Sequence, residues 1–241
     1  MKMPDIKQKV SFLSQPENYP VLTDRVEVKE THMSWVFLTN AHAWKLKKPV
    51  RTDYLDFSMP ALRRQNCKAE VELNRRLARD VYLGVVALTL NAEGKLSLIG
   101  NNHPIDWLVW MRRLPAERML DQLIVKHSVR DDEIRRVGKL LTDFYQTASP
   151  IAMSAEEYGQ RLMHEVRANQ VELTKSEYGL RIKLINSIAE SQLHFLRQET
   201  DAIAARANSN KIIDAHGDLR PEHICLLQEP VIIDCLEFNR G

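Results

Sequence analysis

Between Arg25 and Lys48 apolar and polar residues alternate in a stretch rich in Val, Thr, Phe and Trp, and a period of two is the signature of half-buried strands. Beyond Pro60 the period changes. Leu62, Ala69, Leu73 and Leu77 recur among Arg, Lys and Glu residues at the spacing of one amphipathic helix. This switch from sheet to helix patterning constrains the fold more than any other feature, because one chain must bury a sheet face and a helix stripe together.

The alternation predicts strands over Val26–Glu30, Trp35–Thr39 and Ala43–Lys48, preceded by a short helix over Asp5–Ser14 and ended by Pro49. A helix over Pro60–Ala78 follows, then strands over Gly84–Leu90 and Lys95–Ile99 around an Asn91–Gly94 turn, and a strand over Ile105–Met111. Past Leu114-Pro115 the pattern is helical, with Ser128 opening one helix, Ser154 and Glu157 forming a capping box for another, and Leu180–Ala207 forming a third stretch. Short apolar runs return in Ile212–His216, His223–Leu227 and Val231–Cys235. Strands first, helices second and a late hairpin predict an α+β protein of two unequal lobes, divided as 1–112 and 113–241.

A chain of 241 residues is long enough to bury a sizeable core, and 44% hydrophobic with 27% charged residues is the balance of a globular domain. A net charge of only +2 argues against nucleic acid as partner, despite the basic Lys45–Arg51 stretch. No apolar run reaches membrane-spanning length, and the N-terminus has no signal-peptide pattern, so the expected location is cytoplasmic. Three cysteines without CxxC spacing indicate neither a disulfide framework nor a zinc site. Gly138-Lys139 lacks the upstream glycine of a P-loop.

Chemistry concentrates near the C-terminus, in His216-Gly217-Asp218-Leu219-Arg220-Pro221-Glu222-His223 and in Ile233-Asp234-Cys235-Leu236-Glu237-Phe238. This HGDL loop, short hairpin and IDxxEF ending resemble the aminoglycoside phosphotransferases and related enzymes of protein-kinase-like fold. The resemblance is nearest to the bacterial group of phosphotransferase-like proteins often fused to an ATP-binding P-loop domain. It implies a two-lobed fold, ATP and Mg2+ as cofactors, and phosphoryl transfer to a hydroxylated small molecule.

By the same resemblance Asp218 orients the acceptor hydroxyl, Asp234 binds magnesium, and His216 braces the catalytic loop. A lysine on the third strand is then expected, and Ala43-Trp44-Lys45 has the required A-x-K spacing. Lys45 is the expected phosphate contact; Lys47 shares its strand face, whereas Lys48 points the other way. A helix glutamate should pair with that lysine. Glu70 and Glu72 lie about 200 degrees apart around a helix, so one alone can face the sheet, and Glu70 shares its face with Leu73, Asn74 and Leu77. Trp107–Pro115 resembles the hinge strand, which places Met111 beside an adenine.

Three departures stand out. His223 occupies the position where related enzymes carry a second-metal asparagine, so that one metal suffices, His223 contacts phosphate, or Glu222 substitutes. The loop Glu30–Ser34 has no glycine, leaving Thr31 and Ser34 hydroxyls as nucleotide contacts. The chain ends at Gly241, where related proteins continue into further helices, so the larger lobe is expected to be incomplete. These departures define the alternative function, a nucleotide-binding pseudokinase module with a regulatory or partner-binding role. The oligomeric state stays open.

Overall fold

The computed structural model describes residues 3–52, 55–100 and 103–237. Its contacts divide the chain into two compact units, Met1–Phe144 with His216–Gly241, and Tyr145–Ala215. The boundary expected at 112/113 lies inside the first unit.

The first unit is built on a six-stranded antiparallel sheet. In chain order its strands are β1 (Glu27–Glu30), β2 (Ser34–Leu38), β3 (His42–Lys47), β6 (Tyr82–Leu90), β7 (Leu96–Ser97) and β8 (His103–Arg112), arranged β1-β2-β3-β8-β6-β7. A separate two-stranded ribbon, β4 (Arg51–Thr52) and β5 (Leu55–Asp56), was not foreseen. Its pairing is only two residues long, too short to leave an alternation in the sequence. The Lys95–Ile99 strand shortens to Leu96–Ser97 because Asn91 Oδ1 accepts from the backbone N–H groups of Glu93 and Lys95, closing the turn as an Asx motif.

Both faces of the sheet are covered. Helix α1 (Ile6–Leu13) starts from an Asp5/Gln8 capping box and packs Ile6, Val10 and Leu13 against Phe37, Trp44, Leu46, Leu88 and Leu108. Helix α2 (Pro60–Asn74) packs Cys67 and Val71 against Ala43, Tyr82, Val109 and Met111 on the opposite face. Period two in β3 therefore sends Trp44 and Leu46 one way and Ala43 the other. Beyond the sheet, α3 (Leu120–Val125) and α4 (Asp131–Thr147) join a hairpin, β9 (Ile224–Cys225) with β10 (Val231–Ile232), around Leu77, Leu123, Val137, Leu226 and Ile232.

Ser128 does not open α4. Its hydroxyl donates to Leu123 O at the end of α3, and Glu133 Oε2 instead accepts from Arg130 N at the start of α4. In the second unit, α5 (Ala155–Leu173) carries the expected Ser154/Glu157 capping box. The Leu180–Ala207 stretch is two helices, α6 (Ile182–Gln198) and α7 (Thr200–Asn208), broken at Glu199. Ile212–His216 contributes only an isolated bridge, Ile213 to Pro150. Among the described residues no helix is long and apolar enough to cross a membrane, and Cys67, Cys225 and Cys235 are buried and unbridged.

One buried ion cluster ties these layers together. Asp106 of β8, fully buried, accepts from Arg63 Nε at 2.7 Å, from Arg63 Nη2 at 2.8 Å and from Lys9 Nζ at 2.8 Å, so α2 and α1 both close on one carboxylate. Asp106→Ala strands two buried cations and is expected to cost about 3–5 kcal/mol, read from urea unfolding. A loss below about 1 kcal/mol would show the cluster to be no stronger than an exposed pair.

Candidate functional site

Lys45 and Lys47 project from the α2-facing side of β3, and Glu70 of α2 meets both. Glu70 Oε1 accepts from Lys45 Nζ at 2.9 Å and Oε2 from Lys47 Nζ at 2.5 Å. Glu72, the other helix candidate, is exposed, as the helical offset requires. Burial disfavours charge on Glu70, but the two ammonium groups outweigh it and hold the carboxyl below its usual range. Lys45 is likewise opposed by burial, yet Glu70, Asp234 and Glu237 together keep it well above the ordinary lysine range.

The C-terminal segment supplies the rest. Lys45 Nζ donates to Asp234 Oδ1 at 2.7 Å, and Lys47 Nζ donates to Glu237 Oε1 at 2.8 Å. Asp234 has φ of 62°, a left-handed conformation that aspartate tolerates better than most side chains. Three donors hold it there: Asp234 N to Tyr82 Oη at 3.1 Å, Cys235 N to Asn74 Oδ1 at 2.9 Å, and Leu236 N to His216 O at 2.9 Å. Lys45 beside Asp234 pulls that carboxyl down to about 2.

Two imidazoles frame Asp218. His216 Nε2 donates to Ile233 O at 2.9 Å and its Nδ1 accepts from Asp218 N at 3.3 Å. Both ring nitrogens are thus bonded to backbone, and burial lowers the ring's basicity, so His216 braces the loop and is not placed to move a proton. His223 Nδ1 donates to Asp218 O at 2.8 Å and its Nε2 accepts from Arg220 at 3.2 Å. The same ring stands between the two aspartates, with Nδ1 3.9 Å from Asp218 Oδ2 and Nε2 3.6 Å from Asp234 Oδ2. Arg220 pairs with Asp218 Oδ2 at 3.0 Å and with Glu222 Oε1 at 3.2 Å. Gly217 has φ of 82°, and a Cβ there would lie 3.1 Å from Leu236 Cβ, so the loop favours glycine between its histidine and aspartate.

Other expected residues are placed in other roles. Thr31 Oγ1 donates to Ser34 O and accepts from Ser34 N, closing the β1–β2 turn, and Ser34 is buried. Met111 is buried opposite Ala43 in the apolar cluster beneath α2. Lys48 lies over the Trp35 ring, paired with Glu30. Phe238 of the IDxxEF ending and the terminal Asn239–Gly241 lie outside the described residues. Sequence reasoning missed Glu237, Arg220 and Tyr82. The signal for Glu237 was its three-residue spacing from Asp234, matching a second lysine two residues from Lys45.

Chemically, the first unit offers two partly exposed carboxylates flanking one imidazole, one of them tied to a lysine that a buried glutamate holds. Such a group can orient a hydroxyl, offer oxygen to a hard cation and neutralise an anion within one site.

No known protein-family profile matches the chain. Uncharacterized proteins of Mycobacterium tuberculosis (strains H37Rv and CDC 1551) and Mycobacterium bovis are 29% identical to it over 224 residues, covering 89% of this chain and 42% of theirs. The chain therefore spans less than half the length of these relatives.

The Lys45–Asp234 pair has a defined acid signature. Unfolded aspartate titrates near about 3.9, above its folded value, so the pair stabilises the fold fully above that pH and its contribution disappears as pH falls toward about 2. Lys45→Met is expected to shrink the acid-induced drop in urea midpoint between about pH 5 and pH 2.5. An unchanged drop would mean that Lys45 does not hold Asp234.

Proposed function

We propose that this chain carries an ATP-dependent phosphotransferase site of the aminoglycoside-phosphotransferase type, acting on a hydroxyl of a small molecule within a two-lobed, protein-kinase-like fold. One observation carries the reading. Asp218 and Asp234 converge on the two sides of His223, while Asp234 is joined through Lys45 to Glu70. Phosphoryl transfer asks a protein mainly for positioning and charge neutralisation, and these residues supply both.

In this reading Asp218 accepts the proton of the acceptor hydroxyl and aims its oxygen. His216 and His223 hold the backbone N–H and C=O of Asp218, and its carboxylate, paired through Oδ2 with Arg220, would turn toward a substrate by releasing that arginine. Lys45 neutralises nucleotide phosphate, kept in place by Glu70. Among the described residues no group of three or more His, Cys, Asp or Glu side chains could hold a metal ion. Magnesium does not demand such a cage, because it retains waters and takes one or two carboxylates together with phosphate oxygens. Asp234 fits that requirement: its side chain is 46% exposed and its Oδ2 carries no lysine. Bound there with ATP, magnesium would neutralise charge on the phosphates.

A second reading, nucleotide binding without turnover, is favoured by the Arg220–Asp218 pair and by His223 at the second-metal position. Imidazole is a poor magnesium ligand, and here its ring already bonds Asp218 O and Arg220.

Thermal unfolding with ATP, with and without magnesium, tests the site. Stabilisation of about 2.7 kcal/mol at a hundredfold excess over Kd is expected, and Lys45→Met should remove most of it. No stabilisation under either condition would sink the nucleotide site. ATP consumption against a panel of hydroxylated metabolites then separates the readings. Turnover falling about 100- to 10,000-fold in Asp218→Asn supports the phosphotransferase, and binding without turnover in the parent supports the second reading.

A further inference from the structure

The two lysines of β3 have different surroundings. Lys45 reaches the partly exposed Asp234, whereas Lys47 is 1% exposed, lies 5.1 Å above the Phe57 ring and, among the described residues, forms its ion pairs with the buried carboxylates of Glu70 and Glu237. No surface of Lys47 is open to a nucleotide. Charges alternate along a ladder, Asp234–Lys45–Glu70–Lys47–Glu237, in which the two oxygens of Glu70 each take one lysine. Segment 234–237 is therefore fastened twice, three residues apart, to a single helix glutamate.

That fastening answers a backbone demand. A left-handed aspartate persists only where its surroundings over-determine it, and the donors at Asp234, Cys235 and Leu236 constrain the main chain on one side of Glu237. The Glu237 carboxylate is the side-chain anchor beyond them. Buried ion pairs add little net stability over an apolar equivalent, so the gain from this one is better sought in geometry.

We propose that Lys47 and Glu237 are a positioning pair that sets where the Asp234 carboxylate stands, resting on the reading of Asp234 as the metal-facing group. By engaging Oε2 of Glu70, Lys47 leaves Oε1 to Lys45. By anchoring Glu237, it holds the strained turn at Asp234. Loss of either charge lets the segment relax, so that the Asp234 carboxylate no longer stands where a cation would meet it.

The test uses Glu237→Gln in the full chain with two readouts. Amide hydrogen exchange at Asp234–Leu236, measured without nucleotide, is expected to quicken about tenfold while β3 and β8 stay as in the parent. The magnesium concentration that half-saturates ATP binding should rise about tenfold with magnesium-free ATP affinity unchanged, the size of effect that supporting residues have on metal sites. Parent-like exchange overturns the proposal. So does faster exchange with an unaltered magnesium requirement, since the pair would then only stabilise. If the parent binds no ATP, the exchange result still decides the pair, and the phosphotransferase reading alone fails. Should Glu237→Gln not fold, Lys47→Met with Glu237→Leu replaces the ions by apolar groups; faster exchange with a raised magnesium requirement there supports the pair, and parent-like exchange or an unaltered requirement overturns it.

Discussion

A carboxylate removed entirely from water must be given cations, and Glu70 is given two. Each of its oxygens faces a separate lysine of β3, and each lysine extends to a further carboxylate on segment 234–237. The distances among α2, the central sheet and the C-terminal segment thus follow from one buried charge. Had Glu70 a single partner, the sheet and helix would still pack through Cys67, Val71 and Val109. The far end of the chain would then be held by Tyr82, Asn74 and the apolar packing of Val231 and Ile233, without its charged tether.

The same logic operates at a second level around Asp106, where α1 and α2 approach β8 from opposite sides of the sheet. Apolar packing alone accepts many rotations of a helix on a sheet. Two clusters of paired charge, one for each long-range joint, restrict them, because any rotation that separates a pair leaves a charge buried and unmatched. The polar groups in this core define alignment more than they add stability.

Much of this was readable in advance, for local reasons. Lys45 and Lys47 share a face by the period of a strand, and Glu70 is separated from Glu72 by the period of a helix. The HGD loop stood out by its resemblance to a known family, and that motif alone does not say that Gly217 must adopt the φ of 82° it has. What was missed depends on distant partners. Glu237 looks like any exposed glutamate until Lys47 arrives from 190 residues away. Tyr82 reads as a strand aromatic, and its hydroxyl acquires a role only from Asp234 N. Thr31 and Ser34 read as nucleotide contacts because their loop carries no glycine, but a tight turn uses the Thr31 oxygen locally. Ser128 misled in the same way, since a serine near a helix start serves a preceding carbonyl as readily as a following N–H.

Strand β3 has one further consequence. Its odd-numbered residues, Ala43, Lys45 and Lys47, face α2, and its even-numbered ones, Trp44 and Leu46, enter the apolar layer under α1. A slip of one residue against β2 or β8 would exchange the two sets, pressing two ammonium groups into hydrocarbon and turning an indole toward carboxylates. A mispaired sheet is therefore rejected by the residues that make the site. Folding proofreads the chemistry: a chain that has closed this sheet in its stable register has, by that act, already set its two lysines before Glu70.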